Sequence, residues 1–497
     1  MTAATSEERQ PVDITGYDLN IDQLVAVART NVTVAISDAV SQRMSDARQV
    51  LTDAVERGER IYGATTSVGP KTSASISQFD TAEFSRRLLR THNVGHGPLA
   101  SQEVVRGTLL VLLNSFASGR SGVRPVLAKK IVFALNSNQK IDVHLWGSMG
   151  QSDMSSMSDI ALALFDDFEL AVGEALALIN SSAISTAMGM LAFADFSKLL
   201  RLSTLVAGLS MEGYAANPSF ISDIALQSKP FLGLKKHGQA LQKYLKNSSI
   251  NHKGVPRNLQ DPLCFRSLAL IHGAADDSLC FAKQQIEQEA NASQGNPVIS
   301  VEHQAMAAVA NFDMITLCMA LDIMRLALPP VVTSSTERVA KMVDTTWSGL
   351  CIGLVEDDGI GAPGFNGIAL FHKSITAEAR MLSAPMAHEL PSSSHSNGVM
   401  DRASLAALSA RRGLEMATLC KSIFAIELIV AAQAVELRGT HPLGQGTKQL
   451  FDFVRQVIPF TSAGIAPPNV KELLRHMDEN SDFLDTLLDA DTDTRQS

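Results

Sequence analysis

The chain has 497 residues, 45% of them apolar and only 5% aromatic, which is enough for a large core rich in packed helices. A net charge of −9 with no dense Lys/Arg block excludes a nucleic-acid footprint. Five widely spaced cysteines with no CxxC pair exclude a disulfide framework and a zinc ribbon, and they predict a reducing, cytoplasmic setting.

Residues 1–20 read as a flexible N-terminal arm without the apolar stretch of a secretory signal. Helical patterns then alternate with Gly-punctuated loops to about residue 200. LLRTHNVGHGPLA (88–100) reads as a helix end with two glycines. Residues 103–137 predict two helices broken at Gly119, Ser121 and Gly122. In WGSMGQSDMSSMSDIALA (146–163), small and polar residues crowd the first half, and an apolar helix is predicted from Asp159. Residues 166–215 resume helical periodicity around a polar island, Asn180-Ser181-Ser182. The pattern over 265–330 stops at Leu328-Pro329-Pro330, because proline disfavours the helical state of the residue before it. Gly/Ser/Pro-rich loops follow at 357–367 and 389–401. SIFAIELIVAAQAVEL (422–437) is interrupted by Glu427 and reads as a buried bundle helix, not a membrane span. The fold class is all-α. The expected organisation is the arm 1–20, a loop-bearing helical region 21–200, a long-helix bundle 201–480 and a fraying acidic tail 481–497.

The chemistry-bearing residues sit in the polar islands. These are IYGATTSVGP (61–70), THNVGHG (91–97), GSMGQSD (147–153), ALALINSS (175–182), LQDPLCFR (259–266), EANASQGNP (289–297), ANFD (310–313), APGF (362–365) and the 389–401 loop. In this order, from roughly 60 to 440, they resemble the histidine/phenylalanine/tyrosine ammonia-lyase and aminomutase family. The resemblance implies an elongated all-α bundle with a loop-rich N-terminal region. It also implies a small-molecule substrate, and a homotetramer whose active sites draw on more than one subunit. That family's electrophile is a methylidene-imidazolone (MIO) ring, made from the Ala-Ser-Gly of a GSxGASGDLxPL segment.

This chain has Gln151-Ser152 directly before Asp153, so the glycine is missing. Ring closure bends the nitrogen after the serine onto the carbonyl two residues earlier, a strained backbone that glycine tolerates because it lacks Cβ. The expectation is therefore a member of the family with no cofactor, in which Gln151-Ser152-Asp153 does not form the MIO ring.

By the same resemblance, Tyr62 is the catalytic acid/base and His92 lines the site. Asn180 and Gln260 orient the substrate, Arg266 holds its carboxylate, and Phe365 is an aromatic beside the electrophile's position. Other positions depart from the pattern. The second tyrosine of QDxYSxR is Leu263, the asparagine of YGxNTGFG is Thr65, the histidine of NFHG is Asp313, and the late glutamate is Asn397. Ser152 remains as a hydroxyl that could act as a nucleophile. Each residue also has an ordinary structural role open to it. Tyr62 could be a packed tyrosine, His92 a helix-end residue, Arg266 a partner of Asp261, Asn180 a helix cap, and His395 a solvated loop residue.

What is lost built the electrophile and handled the amine; what is kept could anchor an anion and move a proton. Three functions follow from this. The first is an MIO-independent elimination, addition, isomerisation or cyclisation on an amino-acid-like or acidic small molecule, in a secondary-metabolic setting. The second is a conventional MIO ammonia-lyase or aminomutase. The third is a non-catalytic binding or scaffold relative. No P-loop, GxGxxG, HExxH, zinc-spaced His/Cys cluster or GxSxG elbow is present. No metal, nucleic-acid partner or membrane is expected.

Overall fold

The computed structural model describes residues 10–77, 80–357, 359–387, 398 and 400–489. The fold is all-α. Among the described residues the strands form only three two-stranded ribbons. β1 (Val12–Asp13) runs parallel to β2 (Val34–Ala35). β3 (His96–Leu99) pairs antiparallel with β4 (His144–Trp146), and β5 (Val298–Ser300) with β6 (Ala305–Ala307). Strands this short cannot hold a core.

The chain divides into two compact units, each assembled from three segments. The first comprises residues to Ala194, Ala282–Asp322 and Pro385–Leu414; the second comprises Asp195–Phe281, Ile323–Ala384 and the chain from Glu415.

In the first unit, α1 (Ile21–Thr30) starts at a capping box, with Asn20 and Gln23 each satisfying the other's backbone N–H. Ile21, Leu24, Val27 and Ala28 form its buried stripe, laid against the helix Gln102–Ala117. α2 (Asp38–Glu56) is capped by Ser37 and buries Met44, Ala47, Leu51 and Ala54 at helical spacing. α3 spans Thr81–His92. α4 (Gln102–Ala117) is buried all round from Val104 onward, which makes it the unit's central helix. α5 (Pro125–Asn136) begins with proline at its first turn, where the missing N–H costs nothing. α6 (Met154–Phe165), α7 (Glu174–Ile179) and α8 (Ala183–Tyr214) follow, and α8 carries the chain into the second unit.

The second unit is built on the later part of α8 and the helices Leu232–Tyr244, Leu268–Ala290, Pro329–Val343 and Ala406–Arg438. The Tyr214 and Phe265 rings stack in its core at 4.4 Å, among Met211, Leu241 and Leu268. Glu427, the charge inside the apolar 422–437 run, is wholly buried. The Arg338 guanidinium grips both its carboxylate oxygens at 2.6 and 3.0 Å, and Ser210 donates a third bond at 2.7 Å. Among the described residues, three helical stretches are long and apolar enough to cross a membrane, and each is mostly buried.

Three expectations are corrected, and a fourth is met. Residues 10–20 are not a loose arm: Val12 and Asp13 pair with the second strand, and Ile14 and Leu19 are buried. α6 starts at Met154 rather than Asp159, because its serines are packed inward instead of solvated. The helix Ile315–Ala327 does stop before Leu328-Pro329, as expected, and Pro329 then opens the next helix at a first-turn position. The tail is helical over Ser481–Asp489, with Leu484, Leu487 and Leu488 buried and the Phe483 ring stacked on Phe453 at 5.3 Å. Residues 1–9 and 490–497 lie outside the described residues.

Candidate active site

The 147–153 loop joins β4 to α6, and its backbone is held on three sides. Gly150 (φ +81°) lies so close to the 404–405 backbone that a Cβ there would sit 2.7 Å from the Leu405 nitrogen. Ser404 Oγ donates to the Gly150 carbonyl at 2.9 Å, and the Leu405 N–H donates to Met149 at 3.0 Å. On the other side Gln151 forms a backbone bridge with Asp313, and the Ser152 N–H donates to the Phe312 carbonyl at 3.1 Å. Ser152 is buried and holds a left-handed φ of +65°, unusual for a residue with a side chain. Its hydroxyl donates to Asn180 Oδ1.

Asp153 is fully buried. Its N–H donates to the Ser181 carbonyl at 2.8 Å. Its carboxylate accepts from Ser148 Oγ (2.6 Å), Ser185 Oγ (2.9 Å) and the Ser185 N–H (3.0 Å). Burial raises its pKa, against the pull of those hydrogen bonds. Glu289 is likewise raised by burial and, after the opposing bond from Ser182, by the charge of Asp153. Two carboxyls in one poorly solvated region therefore resist ionising together.

Asn180 caps α7 where the chain turns into α8. Besides receiving the Ser152 hydroxyl, it donates through Nδ2 to the Asn296 carbonyl at 3.4 Å. Ser181 next to it donates to Gln294 at 2.8 Å. Tyr62 lies in a turn closed on the Ile61 carbonyl by the N–H groups of Ala64, Thr65 and Thr66. Gly63 (φ +68°) permits that turn, since a Cβ there would meet Leu176 Cδ2 at 2.1 Å. Thr65 serves the turn: its hydroxyl takes the Ile61 N–H and donates to Glu59, both at 2.7 Å. The half-buried Tyr62 hydroxyl accepts from the Gly69 N–H at 3.1 Å. Tyr62, Asn180 and Ser181 line one cavity together with Asn296 and Pro297, against apolar walls from Leu112, Phe116 and Leu176.

The structure thus places Tyr62 and Asn180 on one cavity, and Ser152, outside that lining, is bonded to Asn180. His92 stands apart from that cavity lining. It is the last residue of α3, and its Nδ1 lies 2.8 Å from the Leu88 carbonyl. In the second unit Gln260, Leu263 and Arg266 share one exposed turn, with Leu263 61% exposed. Arg266 donates to Gln260 Oε1 at 2.5 Å, so its partner is Gln260 and not Asp261. Asp261 is instead buried, taking the Asn217 N–H at 2.6 Å and Asn258 Nδ2 at 3.0 Å. Phe365 is 1% exposed at the start of the Asn366–Leu382 helix, its N–H bonded to Gly353 at 2.8 Å. Asn397 and His395 lie outside the described residues.

Two pairs were not foreseen. Asp159, 7% exposed at its side chain, accepts from the His144 ring and backbone at 3.0 and 2.8 Å and from Asn93 at 2.5 Å. Arg402 Nε lies 3.1 Å from Asp313 Oδ2, beside the Gln151 bridge. Neither pair follows a spacing rule that a single sequence exposes. Among the described residues no group of three or more His, Cys, Asp or Glu side chains could hold a metal ion, and none of the five cysteines forms a disulfide.

A helical scaffold here presents a tyrosine and an asparagine on one cavity, with a left-handed serine bonded to that asparagine. The family model for aromatic amino acid lyase matches residues 19–167 and 165–456, and the chain belongs to that family. It is 28% identical over 475 residues to the histidine ammonia-lyase of Streptococcus sanguinis, covering 90% of this chain and 92% of the relative. The ergothioneine-degrading ergothionase of Treponema denticola superposes with a TM-score of 0.87 at 25% identity, over 96% of this chain and 99% of that one. The Pantoea agglomerans phenylalanine aminomutase shares the fold, with a TM-score of 0.88 at 24% identity over 95% and 98% of the two chains. The protein is thus a lyase of the aromatic amino acid lyase family.

Proposed function

We propose that this lyase works on an amino-acid-like or acidic small molecule by acid/base chemistry, without forming an MIO ring. The observation that carries the reading is the backbone of Ser152-Asp153. The nitrogen that would close the ring is the Asp153 N–H, and it is committed to the Ser181 carbonyl at 2.8 Å. Its side chain is buried and fixed by three hydrogen bonds. The Ser152 hydroxyl, which ring formation eliminates, is instead held by Asn180. These residues do not fit the ring.

In this reading Tyr62 takes the proton beside the leaving group, or returns one to the product. Electrons from the broken C–H bond form the new double bond, and the leaving group departs with its own pair. With no electrophile to activate an amine, the leaving group has to depart as a neutral molecule, as an ammonium does when it leaves as an amine. Asn180 and Ser152 orient the reacting end. Arg266, steadied by Gln260, anchors an anion. Relatives named for histidine and for ergothioneine support an amino-acid-like substrate with a heteroaromatic side chain.

The same reading has the chain working as a homotetramer in the cytoplasm, with sites completed between subunits. Gln260, Leu263 and Arg266 are exposed on a single chain, and Leu370, Phe371 and Met381 form further exposed apolar surface. Tyr62→Phe tests the assignment: turnover falls about 10²–10⁴-fold with the fold intact by circular dichroism. A variant that keeps full turnover refutes it.

One observation favours a conventional MIO enzyme as the second reading. Ser152 already holds the left-handed backbone of a tightly bent apex.

A further inference from the structure

Two arginines of the first unit, Arg106 and Arg124, have their guanidinium groups filled by structural partners. Arg106 spends Nε, Nη1 and Nη2 on the carbonyls of Val27 and Leu135 and on Asn138. Arg124 holds Glu174 through Nε at 2.9 Å and Nη2 at 2.7 Å, and reaches the Glu169 carbonyl as well. Arg402 differs. Its Nε faces Asp313 Oδ2 at 3.1 Å, and its terminal nitrogens have no hydrogen-bond partner among the described residues. Its side chain is 46% exposed, against 25% for Asp313.

Its place in the fold is fixed by backbone. The Arg402 carbonyl accepts from the Gln151 side-chain amide, and residues 404–405 are bonded to Met149 and Gly150. Asp313 is bridged to Gln151, whose neighbour Ser152 reaches Asn180 on the cavity that Tyr62 lines. Asp313 Oδ1 is buried with no partner among the described residues, so one oxygen is available to steer the guanidinium and nothing else competes for it. One edge of the guanidinium is occupied, and the edge formed by the two terminal nitrogens is open. That edge is a planar two-donor fork matched to a carboxylate.

We propose that Arg402, steered by Asp313, is an anion anchor of this site and binds the carboxylate of the substrate or product beside Ser152. This rests on the proposed lyase function and names a second carboxylate-binding group besides Arg266. Asp313 supplies the counter-charge that keeps the guanidinium from standing alone while the site is empty. When a carboxylate arrives, the two acids occupy different edges of the same cation.

The experiment uses the full chain and four probes: urocanate and trans-cinnamate, each against its uncharged primary amide. Affinities are measured by calorimetry for wild type, Arg402→Gln, Arg402→Lys and Arg266→Gln. The expected result is that Arg402→Gln weakens the acids by about 10-fold or more and leaves the amides within about 2-fold. Arg402→Lys, which keeps charge but loses the fork, gives an intermediate loss. If Arg402→Gln weakens acid and amide equally, or neither, Arg402 is only a clamp on the loop and the inference is overturned. A carboxylate-selective loss in Arg266→Gln alone overturns it too, while leaving the proposed function standing. Wild type that binds none of the four probes removes the proposed substrate class, and the inference with it.

Discussion

Ser152 shows how the fold imposes an unusual conformation on one residue. A left-handed serine between two backbone hydrogen bonds is a strained position that its surroundings must impose. The surroundings are polar yet dry: Asp153 and Glu289 are both pushed up by burial. Tyr62, Asn180 and Ser152 could be singled out in the sequence because each sits in a local motif, and the structure links them through one cavity and one hydrogen bond. His144–Asp159 and Arg402–Asp313 were not legible, because their partners meet only after folding, and a lone charge in a loop has no signature. A second titratable residue gives a test at this scale. His372 is buried among Ser335 and Thr336, and burial brings its pKa down to about 4. A folded pKa below the unfolded one means the unfolded chain binds the proton first. Stability is therefore full above about 6.5 and is lost as pH falls towards 4. His372→Gln makes that decline shallower by about 3 kcal/mol and leaves the slope above pH 7 unchanged, as chemical denaturation across pH reads out. An unchanged acid limb contradicts the assignment.

At the scale of elements, apolar periodicity and glycine punctuation made the two helices flanking Gly119 legible, whereas the Asn20–Gln23 box was not read from the sequence. The misread ends have a common cause: composition was taken as exposure. Serines at 155, 156 and 158 are buried in α6, where Ser156 and Ser158 donate to backbone carbonyls of His144 and Leu89. The acidic tail hides Leu484, Leu487 and Leu488 at helical spacing. Glu427 is the reverse case, a charge in an apolar helix whose burial was foreseen but whose partner was not. Glu427→Gln leaves the Arg338 guanidinium buried without its counter-charge. It should lower stability by about 3–5 kcal/mol in urea denaturation, while Glu427→Gln with Arg338→Met recovers part of the loss. A single variant as stable as wild type removes the pair's structural role.

For the whole molecule, family and fold class agree between sequence and structure, since an ordered set of loops on an all-α scaffold is a global signature. Assembly was read only through that resemblance. The exposed Leu263, Leu370, Phe371 and Met381 give it a physical reason, because large apolar side chains left in water favour association. Light scattering coupled to size exclusion should give a mass of four 53.2 kDa chains. A monodisperse monomer that turns over substrate contradicts a shared site.

The central claim is that this site works without the family's ring. A high-accuracy mass of the peptide spanning Trp146 to Asp159 tests it most directly. The account predicts the unmodified mass of that sequence. A deficit of two waters would mean that Gln151-Ser152-Asp153 had cyclised, that the Asp153 nitrogen had left the Ser181 carbonyl, and that the chemistry proposed here is wrong.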